Sequence, residues 1–368
     1  MKRIFSLFLY LPLVLAAQNQ LPYTFTITHS AERTEVKDQA ATGTCWTFAT
    51  NSFIESELLR LGKGEHDISE MFNVRVTYPE KAWFYVRAGG KTQFGPGSLG
   101  HDVINAIREH GMVPESAYVG KQGGSGQHDH SELDAVLEAF VKPLAERQNL
   151  SEYWIEALNG ILDAYLGKIP QNFSYQGRTY TPLEFRDAMG IKPDDYVNIT
   201  SFSHRPFYQK IVLEVPDNFS RGTFDNIPIE ELYRIAVWAL ENGFTVSWDA
   251  DVSEPGFSFS EGIAILPEKG TPKTDIFSKP VTEKKVDQEI RQQGYNSHAT
   301  TDDHLMHLVG IAKDQNGARW FVMKNSWGTG NKGEGYQYVS EAYFKMKTIA
   351  ITLHKEGLPK ELKKKLGY

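Results

Sequence analysis

The chain has 368 residues, of which 40% are hydrophobic and 12% aromatic, enough apolar side chain for one large packed domain or two modest ones. Its 39 basic and 46 acidic residues leave a formal charge of -7, which excludes the basic footprint needed for nucleic acid or an anionic membrane surface. A single cysteine excludes an internal disulfide.

In chain order, the first segment is "MKRIFSLFLYLPLVLAA", residues 1–17, running from two basic residues through an apolar stretch to small residues. That three-part pattern predicts a secretory signal peptide cleaved after Ala16 or Ala17. Pro12 interrupts the apolar core, which is shorter than the roughly 20 residues that span a bilayer. An exported protein, periplasmic or secreted, with no membrane attachment after cleavage is expected.

From Cys45 to Leu61 apolar residues recur at helical spacing, and Gly62 closes the segment, so Cys45 falls in the first turn of a predicted helix. Further helices are predicted at His101–His110, Glu132–Glu146 behind a capping Ser131, Ser151–Leu166, Pro182 to about Gly190, and Pro228–Asn242. "GKQGGSGQHDHSE", 120–132, reads as an exposed loop; His128 and His130 lack the further ligands of a metal site, and a solvated loop is the expectation. After Gly243 the runs "FTVSWDA", "HLVGIAKD", "RWFVMKNSW", "GYQYVS" and "TIAITLH" are short and rich in β-branched and aromatic residues, with a hairpin turn at Asn316-Gly317. A helical part followed by an antiparallel β part is an α+β order.

A thiol acts as a nucleophile only as thiolate, which a helix N-terminus favours, and this is where Cys45 stands. Acyl transfer further needs a base, a group to orient that base, and donors for the oxyanion. Gln39, across a glycine-containing turn, can return its amide beside the sulfur. "DDHLMHLVGIA" supplies His304 and His307, and "KNSWG" supplies Asn325 in the next strand of the same hairpin.

The set "DQAATGTCW", "H-x-M-x3-G" and "NSWG", in that order, resembles the papain-like cysteine peptidases. Within them "ISEMFNVRVTYPEKA", "YTPLEF" and "SWDADV" resemble the bleomycin hydrolase and aminopeptidase C branch, and the likeness covers about 20–357. The resemblance implies Cys45 as nucleophile, Gln39 as oxyanion donor, Asn325 as the residue orienting the imidazole, and His304 as base, since Met306 and Gly310 stand two and six residues after it. His307 is then a packed or surface histidine, and Trp327 covers the Asn325–imidazole contact. Gly97 and Ser98 lie where relatives let backbone approach the substrate. Asp249 is a candidate for a substrate amine, although an exposed turn carboxylate is the plainer reading of Asp249 and Asp251.

The fold expected is therefore papain-like and two-lobed. A helical lobe spans about 35–230, with a helical insertion at about 120–220. An antiparallel, barrel-like β lobe spans about 231–357, within a peptidase domain of 18–357 followed by a short tail, 358–368. The function expected is hydrolysis of peptide substrates through a thioester, by an exopeptidase of the aminopeptidase C kind. No metal or cofactor is called for. Two alternatives stand beside it: an endopeptidase, because the branch lays a longer C-terminal arm in its cleft, and an inactive binding protein on the same fold. Relatives of the branch form hexameric rings, which keeps a homo-oligomer open.

Overall fold

The structure is a computed structural model and describes residues 22–121 and 126–368. The segment 1–17, read above as a signal peptide, lies outside the described residues.

The elements run in the order β1 (Phe25–Ser30), α1 (Cys45–Arg60), α2 (Glu70–Arg87), α3 (Gly100–His110), α4 (Ser131–Ala145) and α5 (Tyr153–Leu166). A short hairpin, β2 (Phe173–Tyr175) and β3 (Arg178–Tyr180), leads to α6 (Pro182–Met189). Then come β4 (Tyr196–Thr200), β5 (Gln209–Val212), β6 (Thr223–Asn226), α7 (Ile229–Glu241), β7 (Val246–Ala250), β8 (Phe257–Ser258) and β9 (Ile263–Ala264). The last are α8 (Gln288–Asn296), β10 (His304–Asp314), β11 (Arg319–Lys324), β12 (Tyr336–Ser340), α9 (Glu341–Lys347), β13 (Thr348–His354) and α10 (Lys360–Leu366).

Except for the β2–β3 hairpin, the strands form one sheet in the order β5-β6-β4-β13-β7-β10-β11-β12-β9-β8, with β1 also paired to β10. β10 is its organising strand. Its first half pairs with β7, its second half with β1, and its other edge with β11. Side chains alternate across it. Leu305 joins the apolar cluster that includes Trp46, Phe53 and Leu58 of α1, whereas Met306 and Leu308 join Trp248, Leu232 and Phe344 on the opposite face. Helices therefore cover both faces, and the start of β10 lies against the start of α1.

Of the helices read from the pattern, α1, α3, α6 and α7 stand within two residues of expectation. α4 begins at Ser131 itself, because Asp129 Oδ1 accepts from both the amide (2.9 Å) and the hydroxyl (2.6 Å) of Ser131. The 18-residue α2 has no predicted counterpart: Pro79 lies inside it and its buried face carries Glu70, Asn73, Arg75 and Lys81 among the apolar residues. β1 is likewise additional. The stretch 120–220, expected as a helical insertion, holds α4, α5 and α6 but also the β2–β3 hairpin, β4 and β5, the last two within the main sheet.

The Gly/His-rich stretch departs from expectation in its second half. Ala41 N donates to His128 O (3.1 Å) and His130 N to Ala41 O (3.0 Å), so this piece lies along the segment leading to Cys45. His130 is consequently buried, and burial pushes its imidazole down to about 4.

Candidate active site

The "G-x-C-W" spacing has a direct packing reason. A Cβ on Gly43 would stand 2.4 Å from Pro96 Cγ, so only glycine lets the 94–99 loop close over the helix start. Trp46, fully buried, anchors that loop by donating from Nε1 to Pro96 O (3.0 Å). Cys45 is thereby held at the first position of α1, where backbone N–H groups lack helical acceptors and face the sulfur's surroundings. The backbone of Leu305, the residue after His304, lies near the thiol and favours its anion.

Gln39 is clamped from both sides. Its Nε2 donates to Thr42 O (2.8 Å), its Oε1 accepts from Ser326 Oγ (2.7 Å), and its own amide donates to Ser326 O (2.8 Å). One N–H of the side-chain amide remains uncommitted for an oxyanion. The pairing of 37–39 with 326–328, through Gly328 N to Lys37 O (3.2 Å) and an Asp38–Trp327 bridge, stitches the segment before Cys45 to the segment after Asn325.

His304 Nε2 lies 2.8 Å from Asn325 Oδ1. The orientation of the Asn325 amide follows from its other bonds: Oδ1 also accepts from Ser326 N (2.7 Å), and Nδ2 donates to Gln337 Oε1 (2.8 Å). An oxygen facing Nε2 requires the ring to carry its hydrogen there, which leaves Nδ1 as the basic nitrogen. Trp327 stacks on the imidazole with centroids 4.5 Å apart at 24°, and Phe257 and Phe259 set their edges against Trp327. The contact expected of Trp327 is thus made to the imidazole ring.

His307 is turned away from this arrangement. Its Nδ1 pairs with Ser52 Oγ of α1 (2.9 Å), and Lys324 Nζ donates to the same hydroxyl (2.8 Å). It is a packed histidine, on the opposite face of β10 from His304.

Burial acts on both reactive groups in the direction of neutrality. It pushes the Cys45 thiol up to about 12, reinforced by the carboxylates of Asp249, Asp302 and Asp217, against the lowering effect of the Leu305 backbone. It pushes the His304 imidazole down to about 4, against the Asn325 bond. A thiolate–imidazolium pair is therefore not favoured by either group singly. Transfer of the proton from sulfur to ring moves no net charge into the buried site.

The three candidate substrate contacts fare differently. A Cβ on Gly97 would stand 1.9 Å from Asp217 Oδ2, so the absence of a side chain there makes room for that carboxylate. The buried Ser98 hydroxyl is committed to Asp102 Oδ2 (2.6 Å) at the start of α3 and offers a substrate nothing from its side chain. Asp249 and Asp251 are not exposed turn carboxylates: both are buried, since β7 lies in the middle of the sheet. Asp251 is paired with Lys347 Nζ (2.9 Å), whereas Asp249 faces Asp302. Gln337, Asp302 and Asp217 carry no motif. Gln337 was legible only as one polar residue on the inward phase of "GYQYVS".

A helix opening with a cysteine, set against a sheet in which a histidine at the start of β10 is hydrogen-bonded to an asparagine just beyond β11, is the arrangement of the papain-like class of cysteine peptidase. The model of the Peptidase C1-like family matches residues 165–367, and the chain belongs to that family. That span contains His304 and Asn325; Gln39 and Cys45 precede it. Among similar proteins are aminopeptidase G of Lactobacillus delbrueckii subsp. lactis, 23% identical over 89% of this chain and 82% of that one. Aminopeptidase C of Listeria monocytogenes is 24% identical over 91% and 83%, and bleomycin hydrolase of Gallus gallus is 20% identical over 90% and 82%. The crystal structure of pepw from Lactobacillus rhamnosis superimposes with a TM-score of 0.73, at 20% identity, over 93% of this chain and 84% of that one, a likeness of fold. The chain is a cysteine-type peptidase.

Proposed function

We propose that this peptidase is an aminopeptidase in which Cys45 is the nucleophile, His304 the base and then the acid, and Asn325 the residue that holds His304. Gln39, with the Cys45 amide, supplies the oxyanion donors. The observation that carries the assignment of roles is the hydrogen bond between His304 Nε2 and Asn325 Oδ1, which leaves Nδ1 to take the thiol proton. The sulfur attacks the carbonyl carbon of the first peptide bond, and the negative charge gathers on the carbonyl oxygen beside Gln39 Nε2. The imidazolium then protonates the leaving amine, and water, deprotonated by the same ring, hydrolyses the thioester.

The exopeptidase part of the reading is supported by the names of the relatives, aminopeptidases G and C. It is tested by hydrolysis of a peptide with a free amino terminus against its N-acetylated twin, with the Cys45→Ala protein as control. The aminopeptidase reading requires loss of hydrolysis on acetylation. Equal rates would make the protein an endopeptidase. Export is part of the same proposal: the mature protein is expected to begin at Ala17 or Gln18 when its terminus is sequenced.

A further inference from the structure

Close to the thiol lies a group of acids, Asp249 buried and Asp302 and Asp217 half-buried, that the chemistry above does not use. Asp249 pairs in register with Leu305, which packs with α1 and whose backbone lies near the Cys45 sulfur, so its side chain falls on the α1 face of the sheet. It is 3% exposed, and neither of its carboxyl oxygens finds a donor among the described residues apart from the proton it shares with Asp302. Asp302, two residues before His304, also has a buried oxygen without a donor. Asp217 completes the group from the far side, seated where Gly97 lacks a side chain and accepting from Gln93 Nε2 (2.8 Å). The charged neighbours acting most strongly on Asp249 and Asp302 are all acidic: each other, Asp217 and Asp303. Asp217 alone has a cation near it, Lys81, whose Nζ also donates to the carbonyls of Gly95 and Gly97.

Asp302 also lines a cavity of about 450 Å³, whose other walls include Thr300, Thr301, Tyr295, Pro216 and Glu214. Asp249 and Asp302, held together without a counter-cation and with Asp302 in the wall of a cavity, are a site for a cation brought in by the substrate. We propose that Asp249 and Asp302, assisted by Asp217, form a subsite that binds a substrate ammonium group. Burial supports this reading: it raises Asp249 well above the usual carboxyl range and Asp302 up to about 7, so near neutral pH the pair shares a proton that an ammonium displaces.

An ammonium can come from the α-amine of the residue being removed or from a lysine side chain in the cavity. The first source fits the strand spacing. The α-nitrogen is two bonds, about 2.5 Å, from the attacked carbon, and its acceptor lies about 2.9 Å beyond. A strand neighbour, about 4.8 Å away, has that reach, and Asp249 is such a neighbour of Leu305. The α-amine version rests on the aminopeptidase reading, whereas the lysine version does not.

The test uses two pairs of peptidyl anilides on the full-length mature protein. One pair compares a free amino terminus with its acetylated twin. The other, acetylated throughout, compares lysine with norleucine at the residue before the one whose carbonyl is attacked. The substitutions are Asp249→Asn and Asp302→Asn, each keeping shape and a hydrogen bond, with thermal melting and titration of the Cys45 thiol to verify a folded site. The wild type is expected to prefer the cationic member of at least one pair, and that preference, as a ratio of kcat/KM, to fall at least tenfold in both variants. The pair that responds names the source. Absence of a preference in both pairs, or one that survives both substitutions in folded protein, overturns the subsite. The aminopeptidase reading fails on the first pair alone, whatever the second pair and the variants give.

Discussion

Gln337 Oε1 accepts a hydrogen bond from Asn325 Nδ2 at 2.8 Å, and this bond decides which end of the Asn325 amide faces His304. If Gln337 is replaced by leucine, Nδ2 loses its partner and only Ser326 N still holds Oδ1, so the amide can turn more readily, presenting a donor to Nε2 and favouring the wrong tautomer. We expect kcat to fall about 10- to 100-fold, from the roughly 1–3 kcal/mol cost of an unpaired buried group, with KM little changed. Gln337→Glu keeps an acceptor and adds a carboxylate that stabilises the imidazolium. Its acid limb in the pH–rate profile is therefore expected to move to higher pH, which a merely structural role would not produce. An unshifted profile in the glutamate variant would remove Gln337 from the account.

The two histidines of β10 separate cleanly by face. His304→Ala should lower kcat/KM by about 100-fold or more, the usual scale of a lost general base. His307→Ala leaves Ser52 Oγ and Lys324 with a cavity beside them. Its expected cost is about 1–3 kcal/mol in stability, read as a lower denaturation midpoint, with turnover largely kept. A variant pair with the opposite pattern of activity would reassign the base.

Gly310 has a packing reason within the sheet. A Cβ there would stand 2.4 Å from His29 O, so only glycine lets β1 close onto β10 where Ser30 pairs with Gly310. Gly310→Ala should destabilise the fold by about 1–3 kcal/mol, the usual cost of overpacking. Hydrogen exchange should show β1 losing protection first. Unchanged protection of β1 would contradict this packing.

What could be read beforehand was what is local or carried by a motif. Cys45 at a helix start, Asn325 beyond a hairpin strand and His304 with Met306 and Gly310 are each visible within ten residues. The long-range parts were not. Asp302 and Asp217 matter only because β10 and the 94–99 loop bring them beside Cys45, and Asp249 looked like a turn carboxylate because nothing nearby reveals that β7 is central in the sheet. α2 hid behind Pro79 and behind Arg75, whose charge is buried against Asp163 (2.7 Å). The wide β sheet was understated for a related reason: β4 and β6 find their parallel pairing across a chain excursion, and periodicity in a window cannot report a partner.

The most direct test of the site is the pH dependence of Cys45 alkylation by iodoacetamide, in the wild type and in His304→Ala. Alone, the buried thiol is pushed up to about 12, so the variant should react slowly at neutral pH, with a rate that climbs steadily toward alkaline pH. With the ring present, transfer of the proton from Sγ to Nδ1 should give the wild type rapid labelling at neutral pH and a plateau above it. Coincident profiles for the two proteins would mean that Cys45 and His304 do not act as a couple.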